Sequence, residues 1–344
     1  MKSTMSNHLE GRHALKVMVL LGGPGSERDV SIASGYQVTK ALRTLGHIVT
    51  PVDLSSGPIN AHEEEAILSR PVGSRPPQSA TSNGSELAVL TAALSSQKWD
   101  LCFLALHGIP GEDGTVQAVL DLARVPYTGS DAAASAIAFD KDLSKRVLHA
   151  AGVKTPEWIT FEPGHGIPEN PFGYPVVVKP RREGSTVGIS VARSADELEQ
   201  AVMNAARYDR HVIYERFIGG RELTVGVIGG DVLSIGEIIL GHRLIFDYKS
   251  KYQRGAVSEV FPADLDRKTT EAVQRLALQA HNALELKCYS RVDMRLDEDG
   301  EPWCLEVNSL PGLTQTSLLP QSALGCGLRF TELCDRICEL ALAG

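Results

Sequence analysis

The sequence has no CxxC pair, no block of lysine and arginine, and no apolar run near the roughly 20 residues of a membrane-spanning helix. Its 6 cysteines, Cys102, Cys288, Cys304, Cys326, Cys334 and Cys338, are scattered. Metal-type cysteine spacing is therefore excluded, and a reduced cytoplasmic chain is the expectation. Residues 1–16 carry His, Glu and Arg without an apolar core, so no secretory leader is expected. Its apolar runs, such as Val17–Leu21 and Val176–Val178, are short. With 34 Lys+Arg against 42 Asp+Glu the net charge is −8, which argues against general nucleic-acid binding and offers nothing to a membrane surface. What is present is ordinary for a soluble protein: 43% hydrophobic and 22% charged residues over 344 positions. That length suits two or three domains with a sizeable core and no disulfide staple.

The first third reads as a βαβ-type unit with a parallel sheet. "ALKVMVLL" is a strand ending in a glycine turn, a helical pattern runs from about Asp29 to Leu45, and "HIVTPVDL" and "DLCFLALHG" are further strands. Residues 55–84 are rich in Ser, Pro and Gly and read as a surface excursion before a helix near Ser85–Leu94. The pattern changes at Ser130. A helical stretch broken near Phe139–Asp140 is followed by the strands "PVVVKP", "VGISVA" and "HVIYERFI" around a helix over Ser194–Arg207. Antiparallel strands with a Gly-Gly-Asp turn come next, then a polar segment Gly241–Ser258, a helix near Arg267–Leu284, a hairpin and a C-terminal helix.

Two glycine turns sit where a strand meets a helix, a natural place for a small ligand. "LLGGPGSERDVS" begins like a dinucleotide fingerprint, with Asp53 as a mimic of the ribose acid. Arg28 at the third glycine position excludes the close helix–strand packing that fingerprint needs. Glu27, at the carboxyl end of the sheet, is a candidate for holding an ammonium group, against a plain surface charge. His107 in "LHGIPGEDGTVQ" occupies the same side, against a structural histidine.

The hairpin "SRVDMRLDEDGEPWCLEVNSLPG" carries the sharpest expectation. Strand alternation puts Arg291, Asp293 and Arg295 on one face, and Cys304, Glu306 and Asn308 on one face of the returning strand. A two-residue Asp299-Gly300 turn would set Asp293 opposite Glu306 and Arg291 opposite Asn308. Opposed carboxylates cost several tenths of a kcal/mol, so ~0.5 kcal/mol or more, unless a cation lies between them. All-oxygen donors point to Mg2+ or Mn2+, and Mg2+ keeps positions for substrate phosphates. A solvated charged face is the competing reading. An EF-hand loop fails, because Arg295 would be its first ligand and the flanks are strands.

"VVVKPRREGSTVGIS" is a strand ending in Lys179, then a Gly-Ser-Thr loop able to cradle phosphate, although no Walker motif is present. Together, "GGPGSERDVS", "HGIPGEDGTVQ", "YTGS", Asp140-Lys141, "VVKPRREGSTVGIS", "DYKSKY", "SRVDMRL" and "LEVNSLPGLTQTSLLP" make the chain resemble the D-alanine–D-alanine ligases of the ATP-grasp superfamily, from about Val17 to the end. The resemblance implies an α/β fold, α+β in its C-terminal part, in three domains: a Rossmann-like parallel-sheet substrate domain (14–131), a central ATP-grasp domain (132–218) and a C-terminal ATP-grasp domain (219–344) with a lid loop at 241–258. It implies ATP, and two Mg2+ or Mn2+ ions held by Asp293, Glu306 and Asn308. Lys141 and Lys179 would contact phosphates. Glu215 would accept the adenine amino group beside Phe217 and Ile218, and Glu222 would take the ribose. Family members often carry lysine where this chain has Arg216. A first D-alanine would be activated as an acyl phosphate and attacked by the amine of a second. Arg291 and the Gly312 amide would hold the oxyanion. Glu27 would bind the first ammonium with His107 nearby, and Ser317, Leu318 and Lys251 the second carboxylate. Tyr252 of the lid would join Ser185 and Glu27 in a bridge across the domains, and its presence favours D-alanine over D-lactate or D-serine as the second substrate. A homodimer is implied on the same ground.

Overall fold

The computed structural model describes residues 13–62, 64–69, 72–73, 77, 84–241, 244–245 and 257–343. The expected lid residues Lys251 and Tyr252 lie outside the described residues, as does most of 241–258.

Among the described residues there are three sheets. The first has the order β3-β2-β1-β4, from β1 (Lys16–Leu21), β2 (Ile48–Asp53), β3 (Gly57–Pro58) and β4 (Leu101–Leu104). β1 is parallel to both β2 and β4. Val17 to Leu21 are all buried, which is why this strand reads as a continuous apolar run and not as an alternation. Helix α1 (Arg28–Thr44) follows β1 directly, and Gly35 lets it lie against Leu21, into which a Cβ would run. The excursion contains α2 (Glu64–Leu68) and ends in α3 (Ser85–Ser96), with α4 (Thr115–Ala123) after the second glycine turn. Arg28, the residue that spoils the dinucleotide pattern, pairs instead with Asp53, whose carboxyl it holds below the usual range against the effect of burial.

The second sheet, β5-β8-β6-β7, is antiparallel and comprises β5 (Trp158–Phe161), β6 (Val176–Pro180), β7 (Ser190–Ala192) and β8 (Val212–Arg216). Helix α7 (Ala195–Ala205), capped by the Ser194 side chain, covers it with Leu198, Ala201 and Val202. The preceding helices α5 (Ala132–Phe139) and α6 (Lys141–Ala150) meet at Asp140, whose carboxylate accepts from the Asp142 and Leu143 amides. Their apolar residues Ala134, Ala138 and Leu148 pack under the third sheet, so the change of pattern at Ser130 coincides with a change from the first sheet's core to the third's.

That third sheet has the order β11-β10-β9-β12-β13: β9 (Arg221–Ile228), β10 (Asp231–Ile239), β11 (Ser258–Val260), β12 (Tyr289–Leu296) and β13 (Pro302–Asn308). Helix α8 (Arg267–Ala283) covers one face. After β13 come α9 (Leu318–Gly325) and α10 (Phe330–Ala343), and the latter returns to the first sheet, placing Leu333, Cys334 and Ile337 in the same core as Val17 and Phe103.

The hairpin needs a correction. Asp293 does face Glu306, and Arg291 faces Asn308. The connection is not the two-residue turn, however. Residues 297–301 form it, with the Asp297 side chain accepting from the Asp299 and Glu301 amides and the Trp303 indole. That longer turn shifts the register by one at Leu296–Pro302, and a bulge between Asp293 and Met294 shifts it back. As a result Cys304 belongs to the apolar core with Met294 and Val307, not to the face of Glu306.

Candidate active site

Between the second and third sheets lies a cleft, lined by Lys179, Glu215 and Phe217 on one side and Glu222, Arg295 and Glu306 on the other. Lys179 on β6 and Glu215 on β8 are both buried, and the Lys179 Nζ donates to the two Glu215 oxygens at 2.9 Å each. Lys145 on α6 approaches the same carboxylate at 2.7 Å. Burial alone would raise the Glu215 carboxyl, but the two ammonium groups outweigh it and hold it below the usual range. Burial draws Lys145 down, opposed by the same carboxylate. Phe217 lies under the Arg295 guanidinium at 5.5 Å, and Ile218 beside it is buried. Glu222 pairs across the strands with Arg295 at 3.6 Å.

The rungs of β9, β12 and β13 set the acids side by side. Asp293 has Thr224 on one flank and Glu306 on the other. Its oxygens accept from Arg291 at 2.8 and 2.6 Å, from Thr224 at 2.8 Å and from the Asn308 amide at 3.1 Å. Glu306 faces the Lys141 ammonium at 3.6 Å, and Lys141 also donates to the Glu183 carbonyl at 2.6 Å. Each of the opposed acids is thus met by a cation of the chain, the compensation that opposed carboxylates require. Among the described residues no three His, Cys, Asp or Glu side chains form a metal cluster. The donors at this spot are two carboxylates and an amide, a set that fits a hard divalent cation completed by phosphate oxygens and water.

Glu27 precedes α1 and is buried. The Ser185 hydroxyl donates to it, bringing the loop after β6 onto the first sheet's edge. A Cβ at Gly184 would overlap the Glu27 carboxylate, so any side chain there would push that carboxylate aside. Ser185 and Thr186 both have left-handed backbones, φ 47° and 63°, as the loop bends over this contact. A second link runs from the Ser26 hydroxyl to Glu183 at 2.7 Å. The buried Glu112 accepts from the Gly108 amide at 2.8 Å, and burial with the charge of Glu27 pushes its carboxyl up to about 8. This corner is rich in acid and suits a positively charged group.

His107 is placed differently from expectation. Its Nδ1 donates to the Leu310 carbonyl at 2.9 Å, and its Nε2 pairs with the Ser34 hydroxyl at 3.0 Å. That same hydroxyl accepts from the Leu313 amide at 3.1 Å. Because a carbonyl can only accept, Nδ1 carries the proton and Nε2 accepts from Ser34. Burial lowers the ring's pKa to about 4, so it is neutral. Both ring nitrogens are committed, and His107 works as a strut behind the loop that carries Gly312. In the same loop Ser317 precedes α9, its Oγ accepts from the Thr314 amide at 3.1 Å, and it comes so close to Gly312 that a Cβ there would crowd it. Leu318 opens α9 and is buried.

Lys145, Arg295, Thr224 and Ser34 are among the residues of this site that escaped the sequence reading. Lys145 had a signal: it lies four positions after Lys141, on the same face of one helix. Arg295 shared its strand face with Asp293. Thr224 and Ser34 had none, since each enters through a partner far away in sequence.

Two sequence models match, the D-ala D-ala ligase N-terminus over residues 16–130 and the D-ala D-ala ligase C-terminus over 147–339. The chain is 37% identical over 320 residues to the D-alanine–D-alanine ligase of Aquifex aeolicus, covering 93% of this chain and 98% of that one. It is 39% identical over 327 residues to that of Citrifermentans bemidjiense, covering 95% and 96%. Among solved structures, the D-alanine–D-alanine ligase of Bacillus anthracis complexed with ATP superposes with a TM-score of 0.77 at 30% identity, covering 96% of this chain and 98% of that one. The VanG D-Ala:D-Ser ligase of Enterococcus faecalis gives 0.76 at 30%, covering 96% and 100%.

Proposed function

The chain belongs to the D-alanine–D-alanine ligase family, ATP-dependent ligases that join two D-alanines for peptidoglycan precursors, and from that premise we propose how its own residues carry the reaction. ATP lies in the cleft between the second and third sheets, with Glu215 accepting the adenine amino group beside Phe217 and Ile218, and Glu222 holding the ribose. Lys141 and Lys179 meet the phosphates. Asp293, Glu306 and Asn308 would hold Mg2+ or Mn2+, two ions per site on this reading, which would supply charge neutralisation for the transferring phosphoryl group. The observation that carries the proposal is the joint wall of the cleft: Glu215 and Lys179 on one side, Arg295 and Glu306 on the other.

Glu27 binds the ammonium of the first D-alanine, whose carboxylate takes the γ-phosphate to give an acyl phosphate and ADP. The amine of the second D-alanine then attacks that carbonyl. Charge gathers on the carbonyl oxygen, where Arg291 and the Gly312 amide stabilise it before phosphate leaves. The second carboxylate rests at the start of α9, on Ser317, Leu318 and Lys251, where helix amides favour an anion. Tyr252 closes a bridge with Ser185 and Glu27. Exclusion of water protects the acyl phosphate from hydrolysis.

The test is incubation with ATP, Mg2+ and single D- or L-amino acids, reading product mass and phosphate release. D-alanyl-D-alanine with one phosphate per dipeptide is expected, and phosphate release without dipeptide from D-alanine overturns the assignment. Among the described residues no helix is long and apolar enough to cross a membrane. A cytoplasmic homodimer completes the proposal, and sedimentation at micromolar concentration reads the dimer directly.

A further inference from the structure

Lys145 is a buried charge that this mechanism leaves without a task. It is 1% exposed, and its ammonium lies 2.7 Å from Glu215, 2.6 Å from the Thr155 hydroxyl to which it donates, and 5.2 Å from the Trp158 ring centroid. Glu215 and Lys179 line the cleft, whereas Lys145 does not. It stands behind the carboxylate, anchored by Thr155. We infer that Lys145 is a specificity-determining positioning residue, which holds the Glu215 carboxylate charged and aimed into the cleft so that a 6-aminopurine nucleotide is selected over a 6-oxopurine one.

The inference rests on the adenine contact proposed for Glu215. An ionised carboxylate can only accept hydrogen bonds. A 6-aminopurine offers a donor there, while a 6-oxopurine offers a second acceptor and is repelled. A protonated carboxyl would reverse this by donating to the 6-oxo group. Burial favours that protonated form, and the charged groups facing Glu215 decide against it. They are Lys179 from β6 and Lys145 from α6, while the Cys304 thiol of β13, pushed up to about 12 by burial, stays neutral. Lys179 lines the cleft, where on the proposed reading the phosphates draw on its charge. Lys145 has no such alternative partner, so it alone keeps the carboxylate charged in the complex. It also fixes one carboxylate oxygen from behind, leaving the other toward the ligand.

The experiment measures the dissociation constants of ADP and IDP by calorimetry, and kcat/KM with ATP and ITP, in the full chain and three variants. Lys145→Met is expected to lower the adenine-to-hypoxanthine preference about tenfold or more, with KM for D-alanine within about twofold, since a site built around a hydrogen bond discriminates through it. Thr155→Val keeps the ion pair but frees the lysine, and is expected to shift the preference the same way by about threefold. It serves as the test should Lys145→Met not fold. Equal losses for both nucleotides, or no change, would overturn the inference, because a purely structural lysine lowers both alike. Glu215→Gln separates the two levels, since an amide can donate as well as accept. If Glu215→Gln lowers the preference and the Lys145 and Thr155 variants do not, the inference fails and the adenine contact stands. If Glu215→Gln leaves it unchanged, the contact and the inference fail together.

Discussion

Replacing Ser34 by Ala removes a single oxygen that holds two buried partners. The Leu313 amide donates to it at 3.1 Å, and it pairs with the His107 Nε2 at 3.0 Å. Ser34 is fully buried, so water does not take its place without opening the contact between the first sheet's helix and the loop after β13. Each orphaned group costs about 1–3 kcal/mol, and the two together about 2–6 kcal/mol of stability. The functional consequence is separable. Gly312 lies one residue before Leu313, and loss of an oxyanion donor costs about 100- to 1,000-fold in rate. A displaced donor costs less, so kcat is expected to fall about tenfold. KM for ATP should stay constant, because the cleft is lined by other elements. Steady-state kinetics with coupled ADP release, beside urea unfolding, reads both effects. A variant that loses stability while keeping kcat would refute the reasoning, leaving the strut with no part in positioning the loop.

Asp293→Asn keeps an acceptor for Thr224 but removes the charge shared with Arg291. It is expected to raise the Mg2+ concentration for half-maximal activity about tenfold or more, and an unchanged Mg2+ titration would count against the metal assignment. Tyr252→Phe should admit D-lactate or D-serine as second substrate while ATP binding persists, read as a product ratio by mass spectrometry with all three acceptors offered together; an unchanged ratio refutes the role. Burial lowers both His107 and His281 to about 4 from an ordinary 6.5. Between those values the unfolded chain binds protons that the native one does not, so each histidine withdraws up to about 3 kcal/mol of stability as the pH falls. Glu112, raised to about 8, acts oppositely and loses its contribution as the pH rises. Urea unfolding at several pH values should therefore show a shallower acid limb in His281→Asn than in the parent, and identical limbs would contradict the burial argument.

Much of the fold was legible because it rests on local signals. The apolar run Val17–Leu21, the helix break near Phe139–Asp140 and the glycine turns mark strands and helix ends through propensities that act within a few residues. Strand alternation likewise paired Asp293 with Glu306, two acids whose opposition makes chemical sense only beside cations. Yet that pairing came from a turn of the wrong length. Asp297 gathers the loop with its own side chain, and a bulge at Asp293–Met294 restores the register. Face assignments beyond the bulge, such as that of Cys304, could not be read from alternation.

Sequence by itself determined which residue types were available and which of them lie close along the chain: an acidic hairpin, a lysine before a glycine loop, a glutamate after a strand. Tertiary structure alone decided who meets whom across long separations. Glu27 meets Ser185, Ser34 meets Leu313, and Lys145 stands behind Glu215. It also folded the last helix back onto the first sheet. The physical reason is range. Backbone propensity and side-chain alternation act over a few residues, whereas burial of a charge or a hydroxyl has meaning only once the groups that satisfy it have been brought alongside.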